Sequence, residues 1–405
     1  MANSFNVTDL VTREVLRVAH EKLAFIGTID RQYDASFNSK GAKHGDSLRV
    51  QNPNKYTRRQ GSRVMDVQDQ DESTQTITVA TQDGVDMRFN SAELSLITPD
   101  SIDEFSKKYI EPAVCVLASG IESDFLSFAT KVVYQQVGTA GTPPTDLAAI
   151  GAARAKLNQQ LAPKDGNRFV QMESVTMGGL VNGLKGLFQD SNQIKEQYRE
   201  GMIGRTGMAD WYENERMYAH TNGSSDNIGT VNDTVVSGDS SVTLASMGIS
   251  KTITAGSVIT FAGCYDVNPE TGAAYSHLKQ FVITANVSTD GAEAVTVAIS
   301  PTIVTTGARK NCSAVPTNGG AALITGAAST AYTQNLMYHK EAFQFITADL
   351  PLMADAAKCV RRNQDGLSMR VWQGSDIRND ELLMRIDILY GMAALRPEWA
   401  CRITN

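Results

Sequence analysis

The sequence predicts an α+β protein with a small all-β module inserted into its second half. Three observations carry that prediction. Residues 101–137 hold apolar and small side chains at helical spacing, the period falls to two in segments on either side, and the composition changes abruptly over 221–333. At 405 residues the chain has room for two or three domains and a sizeable core. It is 42% hydrophobic and 20% charged with a net charge of −7, which gives no reason for nucleic-acid binding by the chain as a whole. No apolar run approaches the roughly 18–20 residues of a membrane span, and the opening MANSFNVTDL lacks a signal-peptide core, so no membrane is expected among the partners. The five cysteines (Cys115, Cys264, Cys312, Cys359, Cys401) lack C-x-x-C spacing and read as reduced, structural thiols.

The elements follow in order. Residues 8–23 predict an amphipathic helix capped by Thr8, with Val11, Val15, Val18 and Leu23 on one face. Residues 26–42 read as irregular. Alternation then predicts strands over 47–51, 75–81 and 85–90. Between them, 52–72 is polar and has sorted charges: Lys55, Arg58, Arg59 and Arg63 first, then Asp66, Asp69, Asp71 and Glu72. A solvated loop is one reading. The other is a hairpin arm whose basic and acidic halves meet opposite charges on a neighbouring copy, favoured by the flanking strands and the lack of any local apolar partner.

The stretch 101–137 predicts a helix opened by a capping box of Ser101 and Glu104. Its expected stripe is Ile102, Phe105, Tyr109, Ala113, Val116, Gly120, Phe125, Phe128 and Val132, and its length would be roughly 50 Å. Pro112 should kink it or begin a second helix. A loop over 138–144 precedes a helix over 145–161, a strand over 168–172, and a glycine-rich helix over 174–188 that needs close packing to offset about 1 kcal/mol per glycine. In 221–333 only roughly a tenth of the residues are charged, against a usual quarter. Strand-like runs at 241–244, 257–261, 281–285 and 294–299 predict a small antiparallel barrel or sandwich. Beyond it, 343–347 and 367–372 are strand-like, and 381–390 alternates with Met384, Ile386, Ile388 and Tyr390 on one face. Gly391 is expected to break that strand, and Pro397 marks a closing turn.

Chemistry is hard to find. Gly45-Asp46-Ser47-Leu48 matches a serine-esterase signature, but no buried strand precedes it. None of the five histidines has an aspartate three residues before it, and a serine without its base is not an active nucleophile. Glycines at 201, 204 and 207 lack the Lys-Ser/Thr of a phosphate loop, and no metal-ligand spacing occurs. The expectation is therefore no enzyme, no catalytic residue, no metal and no cofactor.

Three passages carry a resemblance: Gly45-Asp46-Ser47-Leu48-Arg49-Val50 with Pro53, Leu336-Met337-Tyr338-His339-Lys340-Glu341-Ala342-Phe343 with Ala348-Asp349-Leu350-Pro351, and Tyr390-Gly391-Met392 through Leu395-Arg396-Pro397-Glu398. In that order they resemble the major capsid (coat) proteins of tailed double-stranded-DNA bacteriophages, which have the Hong-Kong-type capsid fold. Within that family the chain looks most like the coat proteins of short-tailed Salmonella phages (P-twenty-two-like), which carry an inserted β-barrel. The resemblance implies an amino-terminal arm and helix at 1–44, an extended loop and peripheral-domain strands at 45–98, and a spine helix at 99–140. It further implies a first axial part at 141–220, the inserted barrel at 221–335, and a return through axial and peripheral domains at 336–405.

As function it implies self-assembly into hexamers and pentamers of an icosahedral shell around double-stranded DNA. The implied partners are the chain itself, a scaffolding protein, a portal protein, a cement protein and DNA held without sequence preference. Assembly would take place in the host cytoplasm, with the virion as destination. Lys55, Arg58, Arg59, Arg63, Asp66, Asp69, Asp71 and Glu72 are the expected inter-subunit contacts. The other reading weighed is a phage tail or surface-adhesion protein that binds through the β module.

Overall fold

The long helix ends at Val132, earlier than its pattern predicts, and is turned differently. A π-helical turn, Ser106–Ile110, leads into a regular α-helix at Glu111–Val132. Pro112 lies in the first turn of this regular helix, directly after the π-helical turn, where proline's fixed φ suits a helix start, so of the two expectations the regular helix begins at the proline. At 1.5 Å per residue the α-helix spans about 33 Å, and the expected capping box of Ser101 and Glu104, with Ile102 and Phe105, lies outside the described residues. The buried apolar side chains of the α-helix are Val114, Leu117, Ala118, Ile121, Phe125, Leu126 and Ala129, joined by the polar Glu122 and Thr130, while Val116 is 68% exposed. Among the described members of the expected stripe only Phe125 is buried. Much of the helix surface is apolar, so steps of three and four fit several faces, and the tertiary partners choose one. By length and composition Lys108–Val132 would be apolar enough to cross a membrane, contrary to the sequence expectation; half of its most apolar stretch is buried inside the protein.

The structure, a computed structural model, describes residues 7–33, 47–59, 61, 63–65, 67–68, 74–90, 106–184, 205–353, 358–364 and 366–405. Two units emerge. The first comprises Met1–Val50, Thr74–Phe125 and Phe343–Ala393. It holds the helix Val7–Lys22 and a six-stranded sheet of Asp30–Tyr33, Phe343–Ala348, Glu381–Ala394, Leu367–Asp376, Lys358–Gln364 and Thr81–Asn90. Residues 26–42 read as irregular in sequence, yet a short helix Ala24–Thr28 and the strand Asp30–Tyr33 occupy their described part. That strand runs parallel to Phe343–Ala348, a partner too distant in sequence for local propensity to reveal. An aromatic core joins Phe25 to Phe125 at 5.2 Å between ring centroids, Phe125 to Phe345 at 5.9 Å, and Phe345 to Tyr390 at 5.4 Å. Met384, Ile386, Ile388 and Tyr390 are buried as their alternation predicts. The strand does not stop at Gly391 but continues to Ala394. A Cβ at Gly391 would meet the Thr78 carbonyl oxygen at 2.5 Å, so glycine here permits a close backbone approach.

The second unit comprises Gln51–Ser73, Leu126–Ala342 and Ala394–Asn405. A seven-stranded sheet contains Gln136–Val137, Ala400–Thr404, Ala331–His339, Arg168–Met172, Ala209–Glu213 and Arg205–Thr206, with Ala219–Thr221 pairing Ala331–His339. The helix Leu147–Gln159, capped by Asp146 accepting from the Ala148 amide, packs Ile150 and Leu157 against Val170, Met172, Trp211 and Met337. The helix predicted over 174–188 is observed at Ser174–Leu184.

Of the two forms open for the insert, the structure shows the closed barrel. Its six antiparallel strands run in the order Ile228–Val231, Ser241–Ala245, Val295–Ser300, Ala274–Ile283, Val258–Val267 and Ala321–Ile324. Alternate side chains such as Val242, Leu244, Ile259, Phe261, Phe281, Val297 and Ile324 fill it. The chain enters along Ala219–Thr221 and leaves along Ala331–His339, which are antiparallel neighbours. Closure removes the sheet edges a free module would expose.

Candidate functional site

Two places in the fold stand out: the polar arm and the seam where the barrel meets the rest of its unit. The arm begins from a two-stranded ribbon, Ser47–Gln51 with Thr74–Thr78, which gives it the hairpin base that alternation predicts. Farther along, one side-chain amide ties the two limbs. The Gln68 Oε1 accepts from the Thr57 amide at 2.7 Å, and its Nε2 donates to the Thr57 carbonyl at 2.7 Å. Arg59 donates to the Val64 carbonyl.

Lys55, Arg58, Arg59 and Arg63 are all exposed, and among the described residues Lys55, Arg58 and Arg63 meet no carboxylate. Asp66, Asp69, Asp71 and Glu72 lie outside the described residues, so the opposed acidic half has no structural account. Charge sorting alone also misses an apolar tip: Val64 is 76% exposed, and Met65 and Val67 are each 79% exposed. The run Val-Met-x-Val inside a polar stretch is the signal that could have found it. An arm none of whose described residues over 51–68 is buried, and which carries cations and apolar side chains outward, is built to be completed by another surface.

The seam is polar, in contrast to the barrel's interior. Gln136 and Gln280 exchange hydrogen bonds: the Gln136 amide donates to Gln280 Oε1 and Gln280 Nε2 donates to the Gln136 carbonyl, both at 2.9 Å. Deeper in, Asp266 accepts from Lys279 Nζ at 2.9 Å and from Gln160 Nε2 at 2.9 Å, with His277 Nε2 at 3.4 Å. The Lys279 ammonium also sits 4.8 Å from the Tyr134 ring centroid. Burial pushes the Tyr134 phenol well above its ordinary value, with Glu398 and Asp266 adding to the effect. Burial lowers Lys156 and His277, partly countered by the Asp266 charge. A desolvated charge pair holds one geometry because every alternative strands an ion. Alternation alone could not show this seam, although a lysine within the apolar-rich His-Leu-Lys-Gln-Phe-Val-Ile run is a hint.

Ser47 opens the arm's first strand, and Gly45 and Asp46 lie outside the described residues. His277 faces Asp266, His339 Nε2 lies 3.0 Å from Asp165, and His220 Nε2 lies 3.1 Å from the buried Ser257 hydroxyl. Among the described residues no group of His, Cys, Asp or Glu is placed to hold a metal ion. The five thiols are free.

A family model described as "P22 coat protein - gene protein 5" matches residues 1–402. The chain therefore belongs to the P22 coat protein family, and it is a major capsid protein, a subunit of a bacteriophage shell found in the virion. Comparison with curated protein sequences found no significant match. Among solved structures the chain is similar to one from Mycobacterium phage Che8, at 10% identity and a TM-score of 0.48, covering 94% of this chain and 90% of that one. It is also similar to the capsid of an empty GTA particle, at 10% identity and a TM-score of 0.44, covering 95% and 89%. A third is a virus-like particle from Pyrococcus furiosus, at 7% identity and a TM-score of 0.41, covering 98% of each chain. The assignment rests on the family model, and it does not favour a tail or adhesion protein.

Proposed function

We propose that this capsid protein builds an icosahedral shell of hexamers and pentamers around double-stranded DNA, with the arm over 51–73 as a principal contact between copies. The arm carries the reading: it presents Lys55, Arg58, Arg59 and Arg63 and an apolar tip of Met65 and Val67 outward, and none of its described residues is buried. Closed shells need contacts in which one surface meets a different surface of the next copy, repeated until the assembly closes. Each exposed ion pair contributes only ~0–1 kcal/mol, so cohesion comes from repetition across the shell. In this account Asp66, Asp69, Asp71 and Glu72 meet cations on a neighbouring copy. A scaffolding protein guides an empty precursor in the host cytoplasm, a portal protein occupies one vertex, and a cement protein reinforces the outside. DNA is held without sequence preference, and the role is structural with no catalysis.

Electron microscopy of the purified chain, alone and with its scaffold, tests the proposal. Closed particles or rings of five and six are expected. Monodisperse small oligomers under both conditions would overturn it.

A further inference from the structure

At the root of the barrel, side chains from three different elements converge on Gly256. Arg402, on the closing strand Ala400–Thr404, is 1% exposed. Its Nε donates to the Val133 carbonyl at 2.6 Å and its Nη1 to the Gly256 carbonyl at 2.7 Å, while Nη2 is buried without a partner. His220, on the entry strand Ala219–Thr221, is 3% exposed, and with Nε2 at the Ser257 hydroxyl its Nδ1 is also buried without a partner. A Cβ at Gly256 would lie 3.4 Å from that Nδ1 and 2.9 Å from Cγ of Lys131. The Lys131 ammonium stands 5.0 Å from the Tyr218 ring centroid. Among the described residues, no carboxylate pairs with Arg402, His220 or Lys131.

We infer that the two unpartnered donors near Gly256, Arg402 Nη2–H and His220 Nδ1–H, together bind one small monovalent anion of halide size. The guanidinium is charged at neutral pH, and the backbone carbonyls that accept from Nε and Nη1 do not neutralise it. A buried water would fill the donors' need but leave the charge uncompensated, and an unpaired buried ion is among the costliest features a fold can keep. Burial lowers the Arg402 guanidinium to about 9. Burial, with Arg402 and Lys131 adding to it, lowers His220 to about 4, so the imidazole is neutral and free to carry its proton on Nδ1 while Nε2 accepts from Ser257. The anion would join the end of the long helix, the barrel's entry strand, the barrel itself and the closing strand, so it would act as a lock at the base of the insert.

Thermal melting of the full chain in potassium chloride against potassium gluconate, at constant ionic strength, reads the site without changing bulk screening. A saturable rise of about 2–3 °C with chloride is expected, because a ligand bound only to the folded state stabilises it. His220→Leu should remove most of that rise. Anomalous diffraction from crystals of the full chain grown in sodium bromide should place a bromide between Arg402 Nη2 and His220 Nδ1. Melting that is equal in the two salts, a folded His220→Leu variant that keeps the full rise, or an anomalous map with no bromide there would each overturn the inference. The bromide map of the unaltered chain decides the matter even if the variant does not fold.

Discussion

The arm and the barrel are both β-structure made of ordinary residues, and they meet opposite physical demands. The barrel closes on itself and encloses Val242, Leu244, Ile259, Phe261 and Phe281 in a dry core, with its polar groups gathered at the seam. The arm extends from a two-stranded ribbon, none of its described residues over 51–68 is buried, and it turns its cations and its Val64-Met65-Val67 tip outward. Side chains in the first should carry stability of the subunit. Side chains in the second should carry association between subunits and little else.

The sharpest way to break that contrast is to damage the barrel. Phe261→Ala removes a fully buried ring beside Phe281, with centroids 5.6 Å apart, and should cost about 3–5 kcal/mol in equilibrium denaturation. At the seam, Asp266→Ala leaves the Lys279 ammonium buried without its counter-charge and should cost about 3 kcal/mol. Replacing both together, Asp266→Leu with Lys279→Met, should recover most of that loss; a double variant as unstable as the single one would show that the pair is not the unit. Acid offers a smaller effect. His220 is held at about 4 in the folded chain against an ordinary 6.5, so between those values the unfolded chain takes up a proton that the folded chain does not. In halide-free buffer, stability should therefore be full above pH 6.5 and fall as the pH drops toward 4, and His220→Gln should flatten that window. Smallest of all, Arg58→Glu with Arg59→Glu should shift the subunit's stability by no more than about 0.5 kcal/mol.

The same contrast explains which features are legible in the amino-acid sequence. Period-two runs mark four of the barrel strands and the buried face Met384, Ile386, Ile388 and Tyr390, because a half-buried strand repeats its environment every second residue. The short strands Ile228–Val231 and Ala321–Ile324 leave no such mark, since each offers too few alternations. The helix Glu111–Val132 is visible in sequence, but its phase is not: an apolar surface fits several stripes, and only packing favours Val114 and Ile121 over Val116. Gly391 resembles a break because a glycine that ends a strand and one that admits the Thr78 carbonyl look identical in sequence. In the arm, the sorted charges are legible, and the Val-Met-x-Val run over 64–67 is a second signal that charge sorting passes over. The seam is least legible, since Gln160 and Arg402 come from parts of the chain distant from the Asp266–Lys279 pair and meet the barrel only after folding.

The arm's charge reversal is also the most direct test of the whole account. Wild-type chain and the Arg58→Glu, Arg59→Glu variant would be mixed with scaffold and followed by sedimentation velocity, with melting measured on the unassembled subunits. The account predicts closed particles from the wild type, subunits that fail to assemble from the variant, and the same melting temperature for both. A variant that assembles as the wild type does, or one that melts well below it, would contradict the claim that the arm serves association and the barrel stability.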